Sequence, residues 1–339
     1  MNMFKPTEDI KKIIVFRALQ LGDMLCAIPA IRALRSAYPE AEITLAGLPW
    51  AASLPGRFPR YLDKFIHFPG YPGLPEQGLN PQAFTSFLSA VQSANFDLAF
   101  QMQGNGSVVN PMVELFNAKY TAGYYIEGHY HPDNGLFLRY PDFGSEIERH
   151  IALMEYLGIP SKGTDLEFPL APEDEDDLLA AGLGDLERDT YVCIHPGSRG
   201  SWRQWPAAYF AEMADYCAEQ GLDVVLTGTK DELEIVEDVR RKMKYTPLVA
   251  AGKTSLGAVA LLIRDAYLLV SNCTGVSHIA SAMKTPSIVI SMDGEPDRWA
   301  PLNREIHYVI DWTTNPDFGL AQYYLKKFLK KAIRQNTGS

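Results

Sequence analysis

Short apolar runs, too brief to be helices, recur along this chain and alternate with longer stretches of helical spacing. The alternation stops once and then starts again. Runs at 13–16, 43–46, 65–68 and 98–102 are rich in Ile, Leu, Phe and Ala. Helical spacing fills 24–38, where Leu25, Ile28, Ile31 and Leu34 fall near one face, and again 82–94 and 147–157. Strands this apolar belong in a parallel sheet covered by helices on both faces. The alternation resumes at 191–194, with further strands at 223–226, 247–250, 267–270 and 286–291. Helices over 207–220, 231–243, 255–265 and 277–283 separate them. The expected fold class is α/β, two doubly wound Rossmann-like domains facing across a cleft. A chain of 339 residues suits two such domains better than one core.

The interruption sets the boundary. It holds Pro169, Pro172 and the acidic run Glu173-Asp174-Glu175-Asp176-Asp177. Acidic residues suit a helix N-terminus, so this reads as a linker entering a short helix, its charges a solvated face and not a metal site. The division is then an N-terminal domain over 1–168, a linker over 169–190, a C-terminal domain over 191–318 and a tail over 319–339. In the tail Leu320, Tyr324, Phe328 and Ile333 oppose Lys326, Lys327, Lys330 and Lys331. Such a helix packs on the body with its lysines in water, or lies on a membrane surface. The Pro- and Gly-rich segment 69–81 reads as a surface loop. The stretch 124–144, with His129 and His131, is an irregular loop that either packs its own aromatics or lines a site. Pro29 implies a kink or a late start for the first helix.

Charge and cysteine usage exclude several classes. A net charge of -10 argues against a nucleic-acid partner but leaves room for an anionic small ligand held by a local Arg cluster. Cys26, Cys193, Cys217 and Cys273 are widely spaced with no C-x-x-C pair, the pattern of reduced thiols in a cytosolic protein without structural zinc. No apolar run reaches the roughly 18 residues of a membrane span, and residues 1–12 lack a signal-peptide core.

Three loops at strand ends carry candidate chemistry. After 267–270 the chain reads Asn272-Cys273-Thr274-Gly275 and enters a helix containing His278. Backbone N–H groups and the positive helix end converge there, a seat for an anion such as a diphosphate. After 191–194 comes His195-Pro196-Gly197-Ser198-Arg199-Gly200-Ser201-Trp202-Arg203. Its small residues let a ligand approach, and Arg199 and Arg203 offer planar donors worth ~1.5–3 kcal/mol per charged hydrogen bond. Turns of both kinds also occur with no ligand. After 13–16 comes Gly22-Asp23: the carboxylate either takes a proton from an attacking hydroxyl or caps the next helix, and composition alone favours the cap. Neither first strand is followed by G-x-G-x-x-G, and Gln103-Gly104-Asn105-Gly106-Ser107 lacks the third Gly, which argues against a nicotinamide-dependent dehydrogenase.

Taken in order, Gly22-Asp23, Pro29-Ala30-Ile31-Arg32-Ala33-Leu34, His195-Pro196-Gly197-Ser198, Trp205-Pro206, Gly228-Thr229-Lys230-Asp231-Glu232 and Thr274-Gly275-Val276-Ser277-His278 resemble the family 9 glycosyltransferases, the bacterial heptosyltransferases of the lipopolysaccharide inner core. The resemblance spans nearly the whole chain. It implies a GT-B fold and an inverting, metal-independent transfer without a cofactor. The implied donor is a nucleotide-diphospho-sugar of the ADP-heptose kind, and the acceptor a saccharide or a lipid-linked glycan. It implies Asp23 as general base, with Gly22, Gln103 and Asn105 toward the acceptor. Gly197, Ser198, Arg203, Thr274, Gly275 and His278 are implied at the donor diphosphate, and Glu232, Asn272 and Cys273 at the donor nucleoside and sugar. A cytoplasmic protein at the inner membrane face, peripherally attached, fits this picture. Three departures stand out: Cys273 where many members have Asp, Asp293-Gly294-Glu295-Pro296-Asp297 where members have G-P-T-x-P, and no basic residue beside Gly22-Asp23. A sugar-nucleotide-binding scaffold of the same fold without transfer, or an epimerase, is the alternative.

Overall fold

The structure is a computed structural model; it describes residues 10–133 and 135–336, with side chains as far as Lys330 in the last helix. The chain divides into two compact units, Met1–Leu166 and Glu167–Ser339.

The first unit runs β1 (Lys12–Phe16), α1 (Leu21–Ala37), β2 (Glu42–Gly47), α2 (Leu54–Arg57), β3 (Lys64–His67), α3 (Pro81–Ala94), β4 (Leu98–Gln101), α4 (Asn110–Glu114), β5 (Tyr120–Tyr125), β6 (Phe137–Arg139) and α5 (Glu146–Tyr156). Its six strands lie in the order β3-β2-β1-β4-β5-β6. All pair in parallel; Val15 faces Leu45 on one side and Phe100 on the other. Ile13, Ile14, Val15 and Phe16 are fully buried, as a strand covered on both faces requires. Phe16, Phe68, Phe87 and Phe116 meet edge to face, with centroids 4.9 Å apart for the first pair and 5.6 Å for Phe87 and Phe116. Each such pair adds about 0.5–1.5 kcal/mol beyond its buried area.

The second unit runs α6 (Pro172–Ala180), β7 (Tyr191–His195), α7 (Ala207–Glu219), β8 (Asp223–Leu226), α8 (Leu233–Lys242), β9 (Leu248–Val249), α9 (Leu256–Asp265), β10 (Leu268–Asn272), α10 (Gly275–Met283), β11 (Ser287–Ser291), α11 (Pro296–Trp299), β12 (His307–Asp311) and α12 (Phe318–Asn336). Its sheet is β12-β11-β10-β7-β8-β9, again parallel throughout. Read from β9, this is the order of the first unit. Both are the doubly wound 3-2-1-4-5-6 arrangement, in which the first and fourth strands lie side by side and the chain leaves them in opposite directions. The switch point is β1/β4 in one unit and β7/β10 in the other. Ligands of such sheets bind beyond the carboxyl ends of those strands.

Trp205 is fully buried among Phe210, Trp312 and Phe318, with centroids 5.1 to 5.7 Å away. α12 lays Ala321, Leu325, Phe328 and Leu329 on this core, stacks Tyr324 on Tyr308 and leaves Lys326, Lys327 and Lys330 exposed. The side chains of Lys331 and Ile333, and the polar start over 1–9, lie outside the described residues.

The structure corrects the sequence expectation in three places. α1 begins at Leu21, so Gly22-Asp23 belong to its first turn and not to the preceding loop, and the helix continues past the buried Pro29. The stretch 124–144 is not wholly irregular, since β5 ends in it and β6 lies within it. β12 closes the second sheet at a position where no strand was expected.

Candidate active site

In the second unit the loop after β7 and the turn after β10 are locked together by one side chain. Asn272, the last residue of β10, is buried. Its Nδ2 donates to the carbonyls of Pro196 (2.8 Å) and Gly197 (3.2 Å), and its Oδ1 accepts from the Trp205 N–H (2.9 Å). The carboxamide therefore fixes the beginning and end of the 196–205 loop. The amide thus has partners within the protein on both its nitrogen and its oxygen.

Within the loop, the Ser198 hydroxyl donates to Gly200 O at 3.1 Å and Gln204 donates to Ser198 O at 3.2 Å. Arg203 ends a short 3-10 turn. Its guanidinium lies 5.6 Å from the ring of the exposed Trp202, donates to Cys273 O at 3.4 Å and is paired with the Asp293 carboxylate. Asp293 is held in turn by the Ser291 hydroxyl at 2.9 Å. The cation thus stands at the turn leading into α10.

Thr274 is the N-cap of α10, in extended conformation, and its side chain caps no N–H of the helix. Ser277 donates both its N–H and its hydroxyl to Thr274 O, which fixes the turn. Gly275 opens the helix and His278 is buried near its start. The N–H groups of a helix's first turn have no partner within the helix, so this end attracts anions. Burial, and secondarily the Asp293 charge, pushes the Cys273 thiol up to about 12, so it is a neutral apolar group whose Sγ lies 3.8 Å from Trp299 O.

Glu232 lies over Gly197 so closely that a Cβ there would collide with its carboxylate. Any larger residue at 197 would push the Glu232 carboxylate away from this position. The carboxylate accepts from Thr229 N at 2.8 Å and lies 3.8 Å from His195 Nε2. His195 Nδ1 in turn meets the Thr227 hydroxyl at 3.0 Å, and burial holds the imidazole below its usual pKa against the opposing pull of Glu232. Gly197, Ser198, Arg203, Glu232, Cys273, Thr274 and Gly275 therefore converge at the β7/β10 switch point and the neighbouring end of β8.

The first unit repeats the pattern. Asp23, third residue of α1, accepts the Gln20 N–H on Oδ2 at 3.2 Å and is half-buried, so it does cap the helix. Gln103, beyond β4, accepts the Ala18 N–H at 2.7 Å and donates back to Ala18 O at 3.4 Å. It is a buried clamp between the ends of β1 and β4. Asn105 accepts Ser107 N at 3.0 Å within a turn, and Gly106, at φ +86, lies so close to Tyr124 O and Asn110 that no side chain fits. A group that the sequence reading missed lies beside Asp23: Arg17 is fully buried and ion-paired with Glu146 on α5 at 3.1 Å. Among the described residues no three His, Cys, Asp or Glu side chains are grouped to hold a metal ion, and no described helix is long and apolar enough to cross a membrane.

Two doubly wound Rossmann-like domains are the architecture of the GT-B class of sugar transferases. The family description "Glycosyltransferase family 9 (heptosyltransferase)" matches residues 85–326, and the chain belongs to that family. It is a glycosyltransferase; the match supports this reading and not the epimerase or bare-scaffold one. Over 305 residues the chain is 28% identical to lipopolysaccharide heptosyltransferase 3 of Escherichia coli K12, covering 84% of this chain and 83% of that protein. The fold matches the crystal structure of a family 9 glycosyl transferase from Veillonella parvula DSM 2008, with a TM-score of 0.74, 22% identity and coverage of 89% and 87%. It also matches E. coli ADP-heptose lps heptosyltransferase II, with a TM-score of 0.73, 20% identity and coverage of 95% and 99%.

Proposed function

We propose that this glycosyltransferase moves heptose or a related sugar from an ADP-linked donor to a saccharide or lipid-linked acceptor, in the cytoplasmic assembly of lipopolysaccharide or another surface glycan. The observation that carries the reading is the hydrogen bond from Arg203 to Cys273 O, which brings a guanidinium to the uncapped start of α10. A diphosphate fits this pair of positive groups, and their fixed orientation stabilises the charge that grows as the diphosphate leaves. Glu232, over Gly197, accepts hydroxyl hydrogens of the donor nucleoside. Asp23 takes the proton of the acceptor hydroxyl as its oxygen attacks the anomeric carbon; the bond to the diphosphate breaks on the opposite face, giving inversion. No step requires a metal. Lys326, Lys327 and Lys330 on the outer face of α12 would meet an anionic membrane surface.

The test is calorimetric binding of ADP, GDP, UDP, CDP and dTDP, repeated with Arg203→Ala. Selective binding of ADP, weakened at least about tenfold in the variant, is expected from the loss of one charged hydrogen bond. Binding of none of the five, or binding indifferent to Arg203, would overturn the donor site.

A further inference from the structure

Arg17 follows β1 and has no contact with water, a costly place for a guanidinium unless every donor is placed. Its NH2 pairs with Glu146 Oε1, its NH1 donates to Met102 O beyond β4, and its Nε donates to the backbone carbonyl of Asp23 at 3.0 Å. One side chain therefore ties the ends of β1 and β4 to the first turn of α1 and to α5. Glu146 is shared: its Oε2 lies 3.3 Å from Arg149 NH1, and its Oε1 lies 3.4 Å from His150 Nε2. Tyr124 of β5 donates to Arg149 O and meets His150 Nδ1 at 3.0 Å, and the Tyr140 hydroxyl accepts from Arg149 at 3.1 Å.

We infer that Arg17, held by Glu146, is a positioning residue for Asp23: it fixes the backbone that carries the carboxylate and supplies the positive charge that keeps it ionised. The placement supports this: the Arg17 guanidinium is bonded to the main chain of Asp23 itself, so its charge lies close to the carboxylate of the same residue. A general base must be deprotonated to act, and a neighbouring cation favours that form. The inference rests on the reading of Asp23 as the base.

The test follows the acid limb of the pH–kcat profile for transfer from ADP-heptose to a heptose-bearing lipid A core, alongside 13C carboxylate titration of Asp23, which needs no acceptor. Arg17→Met removes the cation and is expected to move the limb and the titration to higher pH. Glu146→Gln leaves Arg17 uncompensated and moves both to lower pH. Arg17→Lys keeps the charge but loses the forked geometry, so the limb stays while kcat falls at least about tenfold with KM for donor unchanged. Should Arg17→Met fail to fold, the direction in Glu146→Gln decides. Opposite shifts in protein that still binds ADP support the inference. Shifts in one direction, or a fall in kcat with no shift, reduce the pair to a structural clamp. Wild-type rates in Asp23→Asn would instead remove the base itself, whatever the titration of Asp23 shows.

Discussion

Asn272 Oδ1 accepts the backbone N–H of Trp205 at 2.9 Å, across 67 residues of sequence, while the same amide holds Pro196 and Gly197. Gln103 does the equivalent in the first unit, gripping Ala18 from 85 residues away. In each sheet a carboxamide at or just beyond the end of the fourth strand fastens the loop that leaves the first. This preorganises the loops at both switch points before any ligand arrives. Asn272→Leu, of similar size, leaves two carbonyls and an N–H buried without partners. Urea unfolding is expected to show a loss of about 1–3 kcal/mol. A variant as stable as wild type would show that water replaces the amide.

Asp23 is both a helix cap and the proposed base, and the two roles separate in one variant. Asp23→Asn keeps an oxygen for the Gln20 N–H, so helix and fold are expected to survive. Transfer should fall by roughly 10²–10⁴ while ADP affinity stays within about twofold. Rate measurement with calorimetry decides; parallel loss of ADP binding would mean that the defect is structural.

The two sheets were legible because parallel strands buried on both faces announce themselves as apolar runs, as Ile13 to Phe16 and Leu268 to Val270 do. Tyr120 to Tyr125 is not legible because its Thr, Ala and Gly give no such run, although it is paired on both sides, between β4 and β6. The start of α1 was misplaced because the signal is a side chain of the helix reaching back to Gln20, not a Ser or Asp ahead of it. Gly197, Arg203 and Thr274-Gly275 can be proposed as a phosphate group from sequence, since the chemistry that suggests it is local. The tasks of Asn272, Gln103 and Arg17 could not, since each depends on a partner 67 to 129 residues away. An isolated Arg after a strand reads as an exposed loop residue, and only the fold brings Glu146 to it.

His307 gives a pH dependence of stability that is independent of the active site. It is buried at the start of β12, with Nδ1 2.8 Å from the Ser287 hydroxyl, and burial, aided by Arg304, lowers it from 6.5 to about 4. A histidine held neutral in the fold stabilises it above its unfolded pKa. That contribution is lost as pH falls from 6.5 toward 4, because the unfolded chain then binds the proton that the fold rejects. His195, lowered by burial as well, adds in the same direction. Unfolding free energies of His307→Gln should therefore fall less steeply than wild type across this window, the two curves converging by up to about 3 kcal/mol. Parallel curves would place the acid sensitivity elsewhere.

Asp293 stands against Arg203, the side chain that the donor diphosphate would need. Ser291 and the Glu295 N–H hold the carboxylate, so it is a built feature of the loop after β11 and not a chance surface pairing. A bound diphosphate must share the guanidinium with this anion, and the incoming negative charge is opposed by Asp293 whether or not the pair opens. Asp293→Asn keeps the side chain's shape and a hydrogen-bonding oxygen but removes the charge. Arg203 is partly exposed, so solvent screening limits the effect: ADP is expected to bind about three- to tenfold more tightly, on the order of 1 kcal/mol. The gain should shrink as salt rises, since it is a charge effect between partly solvated groups. AMP, one phosphate shorter, should gain less than ADP if Arg203 faces the second phosphate. Weaker ADP binding in Asp293→Asn would carry the opposite meaning, that the carboxylate aims Arg203 at its ligand.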